Sequence, residues 1–226
     1  MTVGAIVVGA GASTRAGFDK VFAPLAGAPV LAHSVEVLER CKAVDRIVIV
    51  LSPPNLERGR SLARLRGWQK VSAICLGGAR RQDSVAAGLA QLRGCEWVVI
   101  HDAARPLVTG ALVERGLAEA RQTGAAIAAV PVTDTIKVVA DRVVLETPAR
   151  GQLWAVQTPQ VFRYNLIADA YRAATGEFTD DASLLERQGH PVRVYESARD
   201  NIKITVADDL ALAEFLLEKR KCRGSA

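Results

Sequence analysis

Apolar residues in this chain come in short runs, alternating with longer stretches of mixed character. Residues 3–8 (Val-Gly-Ala-Ile-Val-Val), 46–51 (Arg-Ile-Val-Ile-Val-Leu) and 97–100 (Trp-Val-Val-Ile) offer no polar face. They predict strands covered on both sides. Residues 71–74 and 125–130 predict two further strands. Between the runs, residues 30–39 place apolar side chains at helical spacing behind Pro29, a position that a first helical turn tolerates. Residues 55–66 predict a polar helix, 82–92 a helix entered from Gly77-Gly78, and about 110–121 another. Strand alternating with helix predicts an α/β fold, a Rossmann-like, mostly parallel sheet with helices on both faces. Ligands of such sheets sit at the carboxyl ends of the strands. Three unusual loops, at Gly9, Gly77 and Asp102, follow strands and are expected to share one crevice.

The rhythm changes at Pro131. Residues 136–139 and 143–145 are apolar and flank a polar Ala-Asp-Arg turn, which predicts a hairpin with no helix to cover it. A two-stranded arm, about residues 132–151, is marginal alone. It is expected to pack on a second copy of the chain, giving a homodimer. Regular structure resumes at 153–160, followed by a helix over about 163–174. A short helix opened by the cap chemistry of Thr179-Asp180-Asp181, a strand at 192–195 and an amphipathic helix over about 207–219 complete the chain. There are no repeats and no low-complexity linker, and 226 residues suit a single domain, 1–226.

Composition narrows the function. No run approaches the roughly 18 to 20 apolar residues of a membrane helix, and the N-terminus lacks the basic leader of a signal peptide. A cytoplasmic location follows as the expectation. Cys41, Cys75, Cys95 and Cys222 are widely spaced and read as reduced thiols, the first three in or beside the core. The net charge of +5 is dispersed, and aromatics are 5% of residues. That balance favours anionic small molecules over a nucleic-acid track or a base-stacking platform.

The candidate chemistry starts where the first strand spills into Gly9-Ala10-Gly11-Ala12-Ser13-Thr14-Arg15-Ala16-Gly17, with Lys20 just beyond. Small residues let a backbone close on phosphates or a base edge, and two cations follow in the same loop. The dinucleotide fingerprint is the competing reading. Thr14 occupies its third glycine position, however, and the second strand ends Leu51-Ser52-Pro53 without an acid for a ribose diol. No Gly-Lys-Ser/Thr follows, so a Walker loop is excluded. Asp102-Ala103-Ala104-Arg105-Pro106, at the end of a buried strand, is more than packing demands; the bland alternative is that Asp102 caps a helix and Arg105 pairs with it. By period alone, Lys203 between Ile202 and Ile204 could be an ordinary solvent-facing residue. His33, His101 and His190 form no cluster and read as capping or surface residues. Ser84 starts a helix, where capping is the default, although its hydroxyl could reach a base edge.

Taken together, the 11–17 loop with Lys20, Gly77-Gly78-Ala79-Arg80-Arg81-Gln82-Asp83-Ser84-Val85, His101-Asp102-Ala103-Ala104-Arg105-Pro106, Asp134-Thr135-Ile136-Lys137, Gln157-Thr158-Pro159-Gln160, Thr179 to Ser183 and Asp200-Asn201-Ile202-Lys203-Ile204-Thr205 resemble the 2-C-methyl-D-erythritol 4-phosphate cytidylyltransferase family. The resemblance runs nearly end to end. It implies a nucleotidyltransferase-type fold and a reaction in isoprenoid precursor synthesis: a polyol phosphate attacks the α-phosphorus of CTP and releases pyrophosphate. It also implies roles. Arg15 and Lys20 would be catalytic, neutralising charge at the α-phosphate. Arg150 and Lys203 would position the incoming phosphate, with Thr135, on the arm beside Arg150, reaching the partner subunit's site. Asp102, Arg105 and Thr158 would be further substrate contacts. Gly9, Ala10, Gly11, Gly78 and Ser84, with Ala103 beside them, would form the cytosine and ribose pocket. Mg2+ is implied as counter-ion of the triphosphate, with no protein ligand assigned. The family usually has Ala-Ala-Gly-x-Gly where this chain has Gly9 to Ser13, Pro-Lys at Asp19-Lys20, and an acid at Ala79. The nearest alternative is a ribitol 5-phosphate cytidylyltransferase; an NAD-linked oxidoreductase and a non-catalytic nucleotide-binding protein are more distant ones.

Overall fold

The structure, a computed structural model, describes residues 1–11 and 17–224. The expectation placed on Arg15 therefore lies outside the described residues. Strand β1 (Val3–Gly9) pairs in parallel with β4 (Arg46–Leu51) on one side and β6 (Trp97–Asp102) on the other. A small antiparallel pair, β2 (Pro24–Leu25) and β3 (Ala28–Pro29), leads into helix α1 (Val30–Arg40). Next come α2 (Leu56–Arg66), β5 (Val71–Leu76), α3 (Arg81–Gln91), α4 (Gly110–Thr123) and β7 (Ala125–Pro131). After the arm, formed by β8 (Val138–Ala140) and β9 (Val143–Glu146), come β10 (Trp154–Arg163), α5 (Tyr164–Ala173), α6 (Ala182–Arg187), β11 (Arg193–Glu196) and α7 (Asp208–Gly224). The seven-stranded sheet runs β11-β7-β10-β6-β1-β4-β5. It is mostly parallel, as expected. Strand β10 is the exception, running antiparallel between β6 and β7.

Period two explains how the sheet is covered. Val3, Ala5 and Val7 of β1 join Ile47, Ile49, Leu51, Trp97 and Val99 in a core closed by α1, α2 and α4. Their neighbours Ile6, Val48, Val50, Val98 and Ile100 point the other way, into a core closed by α3, α5 and α6. Each fully buried Val or Ile contributes about 1.5–3 kcal/mol, so both faces stabilise the same strands. A third cluster joins Leu25, Val30, Ala104, Leu107, Ile204 and Ala213, binding α7 and the 202–204 segment to the loop after β6. The four cysteines are free thiols, with Cys41 and Cys95 buried.

The arm forms as its pattern predicts, with slightly shifted bounds. Ala140 faces Val143 across a two-residue turn, and Asp141 and Arg142 both have positive φ, 48° and 65°. That geometry matches the right-handed twist of a hairpin. Every residue of β8 and β9 is exposed, Val143 at 62% and Leu145 at 65%. Among the described residues, no helix is long and apolar enough to cross a membrane.

Candidate active site

The strand order reverses direction at β1. From there β4 and β5 lie to one side and β6 to the other, and a ligand crevice is expected outside the carboxyl ends of β1 and β6. In register Val8 faces Asp102, so the glycine loop and the Asp102 loop leave the sheet side by side. A cleft of about 270 Å³ opens there. Gly9, Ala10, Gly11, Lys20, Gly78, Ser84, Asp102 and Lys203 line it, together with Arg80, Arg81 and Ala104. Eight of the residues expected in the site are thus brought together.

The loop after β5 explains the glycine pair. A Cβ on Gly77 would stand 2.3 Å from the Ala10 Cβ and 2.5 Å from the Ser84 Oγ, so the two walls meet only because this residue has no side chain. Ser84 does not take the capping role that its place near a helix start suggested. The Asp83 carboxylate accepts the Arg80 N–H at 3.1 Å, and this frees Ser84, whose Oγ accepts the Gly78 N–H at 3.2 Å and donates to the Arg80 carbonyl at 3.2 Å. Its hydroxyl thereby holds the Gly78 backbone against the cleft.

Asp102 is the electrostatic centre. Lys203 donates through Nζ to Oδ2 at 2.6 Å, and Arg81 through Nε to Oδ1 at 3.3 Å. Burial alone would raise the pKa of this carboxyl, but Arg81 and Lys203 hold it well below the usual carboxylate range. The bland alternative is overturned: Asp102 caps no helix, and Arg105 turns instead to the Asn201 carbonyl, at 2.7 Å. Nor is Lys203 a plain solvent-facing lysine, because the Ile204 N–H donates to the Ala104 carbonyl at 2.8 Å and draws this segment beside the cleft. Arg81 was not singled out from sequence. Besides Asp102 it binds fully buried Asp181 through Nη2 at 2.8 Å, and Asp181 also accepts the Tyr171 hydroxyl at 2.5 Å. Burial works against its charge, yet the two carboxylates outweigh that and raise its pKa. Of the Asp180-Asp181 pair, Asp180 supplies the expected cap by accepting the Ser183 N–H at 3.2 Å, while Asp181 turns inward. Within each pair of like neighbours, Arg80-Arg81 and Asp180-Asp181, only the second member joins the Arg81–Asp181 bridge behind the site; no sequence period separates them.

Thr158 and His101 lie behind the cleft, both buried. The Thr158 Oγ accepts the Asp102 N–H at 3.0 Å and sits 3.0 Å from His101 Nδ1. His101 Nε2 is 3.1 Å from the Arg105 carbonyl, which can only accept, so Nε2 carries the hydrogen and Nδ1 accepts from Thr158. The reading of His101 as capping or surface is thus corrected: it is a core histidine whose pKa burial lowers to about 4. It is neutral at pH 7 and has no nitrogen to spare for a substrate. Asn201, also buried, donates to the Gln157 side chain and the Thr158 carbonyl, both at 2.9 Å, tying the Lys203 segment to β10. Ala103 is buried in the core and does not line the cleft. Arg105 Nε is buried and has no partner among the described residues. Thr135 and Arg150 lie on the exposed arm, away from the lining of this chain's cleft, and Arg150 donates to the Thr133 carbonyl at 2.9 Å.

Among the described residues no three His, Cys, Asp or Glu side chains gather as a metal site. Both Asp102 oxygens are taken by cations. The described residues therefore do not form a metal cage of their own.

A doubly wound sheet whose topological switch carries a glycine loop, a lysine and a cation-flanked aspartate defines a nucleotidyltransferase. The match to known families is specific. The chain belongs to the family described as IspD, 2-C-methyl-D-erythritol 4-phosphate cytidylyltransferase, which matches residues 3–219. A protein of that name from Dehalococcoides mccartyi is 47% identical over 219 residues, covering 96% of each chain. Another from Geobacillus kaustophilus is 45% identical over 225 residues, covering 97% and 99%. The solved 4-diphosphocytidyl-2C-methyl-D-erythritol synthase from Anaerococcus prevotii superposes with a TM-score of 0.85 at 28% identity, covering 96% of each chain.

Proposed function

We propose that this chain joins CTP to 2-C-methyl-D-erythritol 4-phosphate in isoprenoid precursor synthesis, giving the CDP-alcohol and pyrophosphate, and that the residues facing the cleft divide this work. The observation that carries the reading is the convergence of Lys20, Lys203 and Arg81 around a cleft that is also lined by the Gly9–Gly11 segment, Gly78 and Ser84. A phosphate monoester is largely ionised at neutral pH, so the nucleophile needs no base. Neutral, fully committed His101 fits that chemistry. What the reaction needs is orientation and fixed positive charge at a crowded anionic centre.

Lys20, with Arg15, neutralises the charge developing at the α-phosphate. Lys203, held by Asp102, meets the acceptor phosphate, and Arg105, fixed on the Asn201 carbonyl, supports this side of the site. Gly9, Ala10, Gly11, Gly78 and Ser84 take the nucleoside. Thr158 acts from behind, by fixing Asp102, instead of touching substrate. Magnesium belongs to this reading as the triphosphate's counter-ion. The proposal extends to a single cytoplasmic nucleotidyltransferase domain that dimerises through arm residues 132–151, so that Thr135 and Arg150 serve the partner's cleft; the exposed valines and Leu145 of the hairpin support this. The test is to offer CTP with methylerythritol phosphate or with ribitol 5-phosphate and follow pyrophosphate release. Turnover of the ribitol ester alone would overturn the assignment of acceptor.

A further inference from the structure

The acid beside the proposed catalytic lysine carries a device of its own. Asp19 immediately precedes Lys20, where an uncompensated carboxylate would oppose the approach of a polyanion. It is compensated: Arg58, on α2, donates through Nη1 to Asp19 Oδ2 at 2.7 Å, while Asp19 Oδ1 accepts the Val21 N–H at 3.3 Å. Arg58 is itself fixed. The same Nη1 donates to Asn55 Oδ1 at 3.0 Å, and the guanidinium stands 4.2 Å from the centroid of the Phe22 ring. One arginine from a distant helix thus grips both ends of the 19–22 limb that presents Lys20.

As a contribution to stability this pair is minor, since both side chains are partly exposed and solvent screens them. Its place matters more than its strength. We infer that Arg58 is a charge-balancing residue for nucleotide binding: by pairing with Asp19 it offsets the carboxylate next to Lys20, so that this acid does not repel the incoming triphosphate. The inference rests on the nucleotide reading above.

The test is a charge cycle, Asp19→Asn, Arg58→Gln and both together, read as KM for CTP, kcat and CTP affinity by calorimetry. Exposed substitutions of this kind leave the fold intact, which urea midpoints verify. Arg58→Gln is expected to raise KM and Kd for CTP about tenfold at low salt, with kcat within about twofold and the defect shrinking as salt rises. Asp19→Asn alone should bind CTP as well as wild type or better. The double variant should return to within about twofold of wild type, because removing the carboxylate removes what Arg58 cancels. A double variant as impaired as Arg58→Gln would reduce Arg58 to a tether and overturn the inference, as would an unaffected single variant. Wild-type protein that neither binds nor consumes CTP would instead refute the nucleotide reading, and the inference with it.

Discussion

His101 ties acid sensitivity to the site. Its folded pKa is about 4 against an ordinary 6.5, so at intermediate pH the unfolded chain binds a proton that the folded chain refuses. Stability therefore rises with pH through this window and is lost as pH falls from about 6.5 towards 4. At 1.36 kcal/mol per unit, the 2.5-unit difference amounts to about 3 kcal/mol, of which most is gone by pH 4.5. The geometry explains the cost. Protonation adds a hydrogen at Nδ1, where the Thr158 hydroxyl now donates, while the Thr158 oxygen already accepts the Asp102 N–H. Asp102 acts in a separate window: its lowered pKa gives stability present above the unfolded value of 3.8 and lost below it. Urea unfolding of wild type and His101→Gln, followed by tryptophan fluorescence between pH 7.5 and 4.5, separates the two. The variant can still offer an amide N–H to the Arg105 carbonyl but cannot titrate. Wild type should lose about 2 to 3 kcal/mol more than the variant across that range; parallel losses would refute the assignment of the slope to His101.

The other predictions follow from the same geometry. Lys20→Ala should slow the chemical step by about 2 to 4 kcal/mol, the scale of one preorganised charge donor, and single-turnover rates within threefold of wild type would remove Lys20 from catalysis. Arg81→Met strands buried Asp181 and should cost about 3 to 5 kcal/mol in unfolding free energy, whereas Arg81→Met with Asp181→Asn should cost clearly less; equal losses would mean that packing, not charge, is what Arg81 supplies. Gly77→Ala should raise KM for CTP by forcing Ala10 and Ser84 apart, and an unchanged KM would show that this contact is not part of the nucleotide wall. Mixing Arg150→Ala subunits with Arg15→Ala subunits should restore part of the activity if arm and cleft belong to different chains, and no recovery would argue against the shared site.

How much of this was legible in the sequence depended on whether a residue's partner was near in the chain. The buried strands and the crevice at their ends were readable, because β-branched runs and glycine loops are local signals. The hairpin was readable too, down to its polar turn. The sense of β10 was not, since its apolar run is compatible with either direction and only its place between β6 and β7 decides it. For Ser84 the sequence left a cap and a nucleotide contact both open, and only the Asp83 carboxylate on the Arg80 N–H shows that the cap is supplied one residue earlier. His101 was misjudged because histidine spacing reports clusters, whereas its partners, Thr158 and the Arg105 carbonyl, come from a different strand and from a turn. Arg81 and Asp181, a hundred residues apart, left no periodic trace at all.

The motifs that carried the family resemblance turn out to be one physical object. Asp102 ends β6, and its charge requires Lys203 and Arg81; its backbone N–H requires the Thr158 hydroxyl. Thr158 in turn needs its carbonyl taken by Asn201, which stands two residues before Lys203 and so delivers that lysine to Asp102. Each short segment thus supplies what another leaves unsatisfied, and a buried polar group left without its partner costs about 1–3 kcal/mol. Changing any one segment would cost stability as well as function. That coupling explains why segments scattered over a hundred residues are found together in this chain, and why the cations facing the cleft are already fixed in place before any substrate arrives.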